Sequence, residues 1–313
     1  MSQWTVNEIP SQTGRCALIT GANSGIGYHT ALELGRKGAH ILLASRDRAR
    51  GEAALSRLYR EAPGSSAELV LLDLASLAAV RESAARLLQR GQPLDLLINN
   101  AGVFEPPKRL ETADGFELQF GTNVLGHFAL TALLFPLIQK ASGTPRIVTI
   151  ASIAHKGGTM DFDDPQATRS YNPRRRYQQS KLADLMFSLE LDHRLCAGGL
   201  PSSSILSVAA HPGVANTNLF QSGSYSPVEK AARRAFGALV ARVLSTDAEG
   251  AIPTLYAATA TAAKGGGYYG PQGFQEMRGG DAGPAKIAPQ ALDEAAQKRL
   301  WQLCERLTGI NFL

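Results

Sequence analysis

The chain alternates short, largely apolar runs with longer stretches in which apolar residues return every third or fourth position. The short runs are Cys16–Thr20, His40–Ser45, Glu68–Leu72, Leu94–Asn99, Arg146–Ile150 and Ser204–Ala209, with a weaker one around Gly267–Gly270. Most are apolar throughout, the pattern of strands in a parallel sheet covered on both faces. The longer stretches, Ile26–Lys37, Arg48–Glu61, Leu77–Gln89, Phe120–Leu137 and Arg176–Leu195, have helical spacing, and a last helix is expected near Leu292–Leu307. Alternation of this kind requires right-handed crossovers. It predicts an α/β fold, a doubly wound parallel sheet with helices on both faces.

No Pro/Ser-rich linker and no solenoid-length repeat divides residues 1–313, so one domain is expected. Two regions break the rhythm. Residues 155–175 form a polar insertion, and 218–244 contain an amphipathic pattern with Ala232, Phe236, Leu239, Val240 and Val243 at helical spacing. Ligands of a doubly wound sheet bind beyond the carboxyl ends of its strands, and both regions follow such an end. They are expected to wall the substrate, the second as a lid, while 271–313 form a C-terminal extension with the last helix.

Composition narrows the classes. The 313 residues are 44% hydrophobic with 31 glycines, which suits a globular chain rich in tight turns. A net charge of +5 and the run Arg174-Arg175-Arg176 raise nucleic acid as a partner, but no aromatic platform or groove-reading motif accompanies them, and a solvated helix start is expected. The three cysteines, Cys16, Cys196 and Cys304, are too few and too scattered for a disulfide framework. With no CxxC pair or HExxH helix, no metal is expected. The opening segment, MSQWTVNEIPSQTGR, lacks a signal-like apolar core. The apolar stretch Phe128–Ile138 contains Pro136 and is too short for a bilayer. A cytoplasmic protein without a membrane span is the expectation.

The chemistry lies at the strand ends. The first strand runs into Gly21-Ala22-Asn23-Ser24-Gly25-Ile26-Gly27, where glycines permit a tight turn and the following helix offers N–H donors to a pyrophosphate. The second strand ends on Ser45-Arg46, without the acid that binds an adenosine ribose 2′-hydroxyl, and Arg46 can pair with a 2′-phosphate. NADP is therefore expected over NAD, although Asp47 follows and is either a helix cap or a competing acceptor. Asp73, with Leu74 beside it, is either an adenine contact or an N-cap. Asn99-Asn100-Ala101-Gly102 closes the fourth strand with small residues suited to a close cofactor approach. Asn123 is a polar residue inside an apolar helix, and Ser152 lies at the rim after the fifth strand. Tyr177 and Lys181 are four apart on one helix face, where an ammonium lowers the tyrosine pKa from ~10 and makes it a usable acid/base. After the sixth strand, Pro212, Gly213 and Val214 shape a turn, Thr217 can bond a carboxamide, and His211 reads as structural.

In this order TGANSGIG, Asp73, NNAG, Asn123, Ser152, YQQSK and HPG…Thr217 resemble the short-chain dehydrogenase/reductase family over roughly two-thirds of the chain. ITGANSGIG, GTNVLGHF and AAHPGVANTNL are most similar to its retinol-dehydrogenase-like branch, with protochlorophyllide-reductase and bacterial relatives. The resemblance implies a Rossmann-type fold and a tetrad of Asn123, Ser152, Tyr177 and Lys181. Ser152 would hold the substrate oxygen and Tyr177 would move the proton. Lys181 would tune Tyr177 and bind the nicotinamide ribose, and Asn123 would position a relay water. The implied activity is NADP-dependent interconversion of a carbonyl and an alcohol on a medium-sized apolar substrate. Reduction of an activated C=C bond and a non-enzymatic NADP-binding sensor are the alternatives. Membrane-bound retinol dehydrogenases often carry an apolar N-terminal anchor that this sequence does not show, so retinoid specificity is not carried over. Many members are dimers or tetramers, so a homo-oligomer is compatible with the resemblance.

Overall fold

The computed structural model describes residues 4–198, 205–214 and 245–313; Thr217 and the candidate lid at 218–244 lie outside them. The strands are β1 Cys16–Thr20, β2 His40–Ser45, β3 Ser66–Leu71, β4 Leu96–Asn99, β5 Arg146–Ile150, β6 Leu206–Ala210, β7 Tyr268–Pro271 and β8 Ala282–Pro284. They form an 8-stranded sheet in the order β3-β2-β1-β4-β5-β6-β7-β8, parallel except for β8. The order reverses between β1 and β4, the switch point where such sheets open a ligand crevice.

Strand limits differ from the sequence reading by a residue or two because backbone pairing, not polarity, ends a strand. Polar Ser66 belongs to β3 since it pairs with His40, whereas apolar Leu94 leaves the ladder and donates its N–H to the Leu137 carbonyl at 3.1 Å. The three residues of β8 carry no apolar pattern and were not expected.

Alternate strand residues feed two cores. Cys16 and Leu18 face one side of β1, and Ala17 and Ile19 face the other. The first core is covered by α3 (Leu77–Arg90), α4 (Leu118–Gln139), α5 (Pro173–Ala197) and α7 (Glu294–Thr308). The second lies under α1 (Gly25–Arg36), α2 (Arg48–Glu61) and α6 (Asp247–Thr259). Each large aliphatic side chain so buried contributes about 1.5–3 kcal/mol. Helix α6 was missed because it is apolar on most faces and contains Pro253. Its Thr246/Glu249 capping box was the available signal.

Two helices correct the sequence reading. α5 is not amphipathic: every residue from Gln179 to Leu191 is buried, since the helix is wedged between the sheet, α4 and α7. α4 runs through Pro136 for 22 residues and is long and apolar enough to cross a membrane, where Phe128–Ile138 alone had read as too short. In this fold 89% of its most apolar window is buried inside the protein. The C-terminal segment is likewise a structural wall. Trp301 of α7 is 1% exposed and packs against Phe128, Phe187 and Phe312.

Candidate active site

A cleft of about 1050 Å³ opens at the carboxyl ends of the central strands. Of the expected site residues, Gly21, Asn23 to Gly27, Arg46, Asp73, Leu74, Asn100 to Gly102, Ser152, Tyr177, Lys181 and Pro212 to Val214 all line it. Asn123 stands behind its wall, and Thr217 is not among the described residues.

At one end the turn after β1 uses Gly21 at φ 66° and Gly25 at φ 59°, in the left-handed region. A Cβ on Gly27 would lie 2.5 Å from the Asn100 amide and 2.7 Å from the Gly21 carbonyl, so glycine is required for α1 to start this close to β4. The Asn100 side chain donates to Thr20 O at 2.8 Å, and the Thr20 hydroxyl accepts the N–H groups of Asn100 and Ala101 at 2.8 and 2.9 Å. These bonds join the ends of β1 and β4. Ser24 precedes α1 without a side-chain cap bond. The first-turn N–H groups of a helix have no intrahelical acceptor, and here they face the cleft.

The neighbouring rim bears on cofactor choice. The Asp47 carboxylate accepts the Arg50 N–H at 2.9 Å and caps α2, and Asp47 Oδ2 lies 3.9 Å from the Arg50 guanidinium. Arg46 is exposed, lines the cleft and has no carboxylate partner among the described residues. Arg50, which sequence reasoning did not single out, lines the same end. Asp73 is not the cap of α3. That position belongs to Ser76, while Asp73 closes a local turn by accepting the Ala75 N–H at 3.0 Å.

The other end gathers the residues that the resemblance assigns to chemistry. Asn172 caps α5 and Pro173 opens it, so Tyr177 and Lys181 stand on consecutive turns. The Tyr177 ring is buried edge-on to Phe104, 4.7 Å away, and the Ser152 side chain faces the phenol and favours its ionisation. The Lys181 ammonium donates to the Ile150 carbonyl and to Asp184 Oδ2, both at 2.8 Å. Asn123 sits at the centre of a π-helical turn, Gly121–Leu125, inside α4. Such turns recur at functional sites because they aim side chains that a regular helix would not. Its Oδ1 accepts the Val103 N–H at 2.7 Å, and its amide donates to Val103 O and Ser180 Oγ at 3.1 and 3.0 Å. With both amide N–H groups engaged, this side chain clamps the segment after β4 to α5.

Buried His127 extends this framework. A carbonyl can only accept, so Nδ1 carries the proton donated to Asn123 O at 2.8 Å, leaving Nε2 to accept from the Thr20 hydroxyl at 2.9 Å. Burial holds its pKa down to about 3, so it stays neutral.

The charges at this end oppose the simple expectation for Tyr177. Burial pushes the phenol up and outweighs the help of Lys181 and Ser152, and Asp184 adds to the rise. Burial pulls Lys181 down, but Asp184 and Tyr177 more than offset it and keep the ammonium charged. Burial raises Asp184 to about 6 against the pull of Lys181. The ammonium therefore acts in the expected direction without lowering Tyr177 below its ordinary value.

The remaining walls come from β6 and the segment after β4. Gly213, at φ 72°, leaves no room for a Cβ against the Met277 carbonyl, which also accepts the Val214 N–H at 2.8 Å. His211 is fully buried and accepts the Gly213 N–H at 3.2 Å, a structural role as expected. Val103, Phe104, Pro106, Leu110, Leu118 and Ile153 give the Tyr177 end an apolar lining that no motif announced. From the 155–175 insertion, Gly157 and Arg174 reach the cleft. Arg176 turns inward instead of forming a solvated helix start, pairing with Asp161 and Asp164 at 3.5 and 3.7 Å.

A dinucleotide fits these residues: glycines where a Cβ would collide, an open helix start, an unpaired arginine, and a volume at or above the roughly 300–1,000 Å³ of drug-sized sites. Comparison with known proteins points the same way. The family model for short chain dehydrogenases matches residues 15–224. Polyprenol dehydrogenase of Mus musculus is 41% identical over 306 residues, covering 96% of this chain and 86% of that protein. Retinol dehydrogenase 14 of Homo sapiens is 39% identical over 312 residues, covering 95% and 87%. A crystal structure of an uncharacterised protein from Mycobacterium Paratuberculosis superposes with a TM-score of 0.79 at 37% identity, covering 100% of both chains. The chain belongs to the short-chain dehydrogenase family, in the retinol-dehydrogenase-like branch, and is an oxidoreductase that uses a nicotinamide cofactor on CH–OH or C=O groups.

Proposed function

We propose that the protein interconverts an apolar aldehyde or ketone and its alcohol, with NADP(H) as cofactor and Tyr177 as proton donor and acceptor. The observation that carries this reading is the convergence of Tyr177, Ser152 and Lys181 at the apolar end of the cleft whose other end holds Arg46. NADPH, when bound, supplies the hydride to the carbonyl carbon. Ser152 hydrogen-bonds the substrate oxygen, and the Tyr177 hydroxyl gives it the proton, leaving a phenolate that the Lys181 ammonium stabilises. Oxidation runs the same transfers backward. Asn123 holds Val103 against α5 and so keeps Phe104 against the Tyr177 ring.

The first turn of α1 would cradle the pyrophosphate, and Arg46 would pair with the 2′-phosphate. Asp47 supports this choice, because its carboxylate is occupied as a helix cap. The apolar lining favours an apolar substrate, and the alcohols in the relatives' names, retinol and polyprenol, are both isoprenoid. Purified protein with NADPH or NADH is therefore assayed against retinal, farnesal, an aromatic ketone, a quinone and an enone. Turnover of an apolar carbonyl with NADPH preferred is expected. Saturation of the enone C=C bond alone, or no turnover of any of them, would overturn the reading.

A further inference from the structure

The Lys181 ammonium has three protons, and the fold has already assigned two. One goes to the Ile150 carbonyl at the end of β5 and one to Asp184 Oδ2, each at 2.8 Å, with the side chains 7% and 3% exposed. Only the third is left for the cleft. An aspartate buried on this face of α5 is costly unless paired, and Lys181 is the ion-pair partner it has here. Its charge therefore acts directly on the lysine that stands beside the Tyr177 phenol.

We infer that Asp184 is a positioning residue of the reaction: it fixes the direction of the Lys181 ammonium and offsets part of its charge beside Tyr177, keeping the phenol in the protonated form that a carbonyl needs. The inference rests on the proposed function. The physical chain is short. A lysine paired with a buried carboxylate presents a smaller net positive charge to the phenol, so less stabilisation is available to the phenolate. A protonated tyrosine can give a proton to a carbonyl but cannot take one from an alcohol.

Among the described residues, the other titratable groups facing this unit do not replace Asp184. His127 of α4 faces Lys181 but is held neutral, and Cys304 of α7, facing Asp184, is a buried thiol pushed far up by desolvation. Glu105, from the segment after β4, and Tyr268 of β7 face Tyr177.

The test reads Tyr177 directly, without cofactor or substrate, in full-length protein labelled with 13Cζ-tyrosine, the Tyr177 signal being the one lost in Tyr177→Phe. Asp184→Asn keeps the shape and removes the charge. Removing a negative charge makes the first proton of the Lys181–Tyr177 pair easier to release. The Tyr177 midpoint is expected to fall by about one pH unit or more, whereas Asp184→Glu, which keeps the charge, leaves it near wild type. In activity, the acid limb of farnesol oxidation with NADP moves down by the same amount. A folded Asp184→Asn protein with an unchanged or raised Tyr177 midpoint overturns the inference. Should that variant fail to fold, the wild type decides: the Lys181 15Nζ shift must inflect with Asp184 ionisation, and a flat profile overturns the inference. Failure of the wild type to turn over any carbonyl overturns the proposed function instead, and the tyrosine titration still judges Asp184.

Discussion

In the proposed function, activity turns on Tyr177 and cofactor choice on Arg46, and each supports a prediction. Tyr177→Phe removes the transferable proton but keeps the ring that packs on Phe104. Turnover should fall by at least about a hundredfold while cofactor affinity, measured by fluorescence titration, stays within about threefold. Arg46→Ala removes a guanidinium free to make charge-assisted bonds, so NADPH binding should weaken roughly ten- to hundredfold and NADH binding far less. Equal losses for both cofactors in calorimetric titrations would remove the case for NADP. The cleft residues that were legible in the sequence mostly follow a strand directly or open a helix, and strand ends converge in a doubly wound sheet. Asp184 and His127 were not legible. Both sit in the interior of helices; Asp184 meets Lys181 across one turn of α5, but only the packing of α4, α5 and the sheet decides that this pair is buried and that His127 links Asn123 to Thr20.

At the scale of elements, the start of α5 depends on a charge cluster. Asp164 is buried and takes the N–H groups of Thr168 and Arg169 and the Thr168 hydroxyl, with Arg176 3.7 Å away. Burial opposes its ionisation, but those partners win and hold its carboxyl at about 2, below the usual 3.8. A depressed folded-state pKa means stability that is fully present above the unfolded value and lost as pH falls through the folded one. Asp164→Asn should therefore cost roughly 2 kcal/mol at neutral pH, with the gap to wild type closing between about pH 4 and pH 2 in thermal melts. A gap independent of pH would assign the effect to shape. The polar insertion that holds Asp164 was visible as a departure from periodicity, but its staple onto Arg176 was not, since the arginine run reads equally well as solvated. The π-helical turn around Asn123 was also hidden, because 3.6-residue periodicity cannot register one extra residue per turn.

The molecule as a whole is a sheet with two cores, and the C-terminal helix completes one of them. Trp301→Ala should destabilise the protein by about 3–5 kcal/mol in guanidinium unfolding, because the ring is enclosed by Phe128, Phe187 and Phe312. A loss below about 1 kcal/mol would mean that α7 is an appendage, contrary to its burial. Alternating apolar runs and helical periods determined the doubly wound sheet with helices on both faces, since burying a parallel sheet on both sides leaves few arrangements of such a chain. The motifs at the strand ends determined where a cofactor and a reacting group would lie. Three further features belonged to the tertiary structure: the burial of α4 and α5 along most of their length, the clamp that Asn123 makes, and the link from His127 to Thr20. Each depends on which distant side chain arrives within about 3 Å, a distance set by packing and absent from any local pattern.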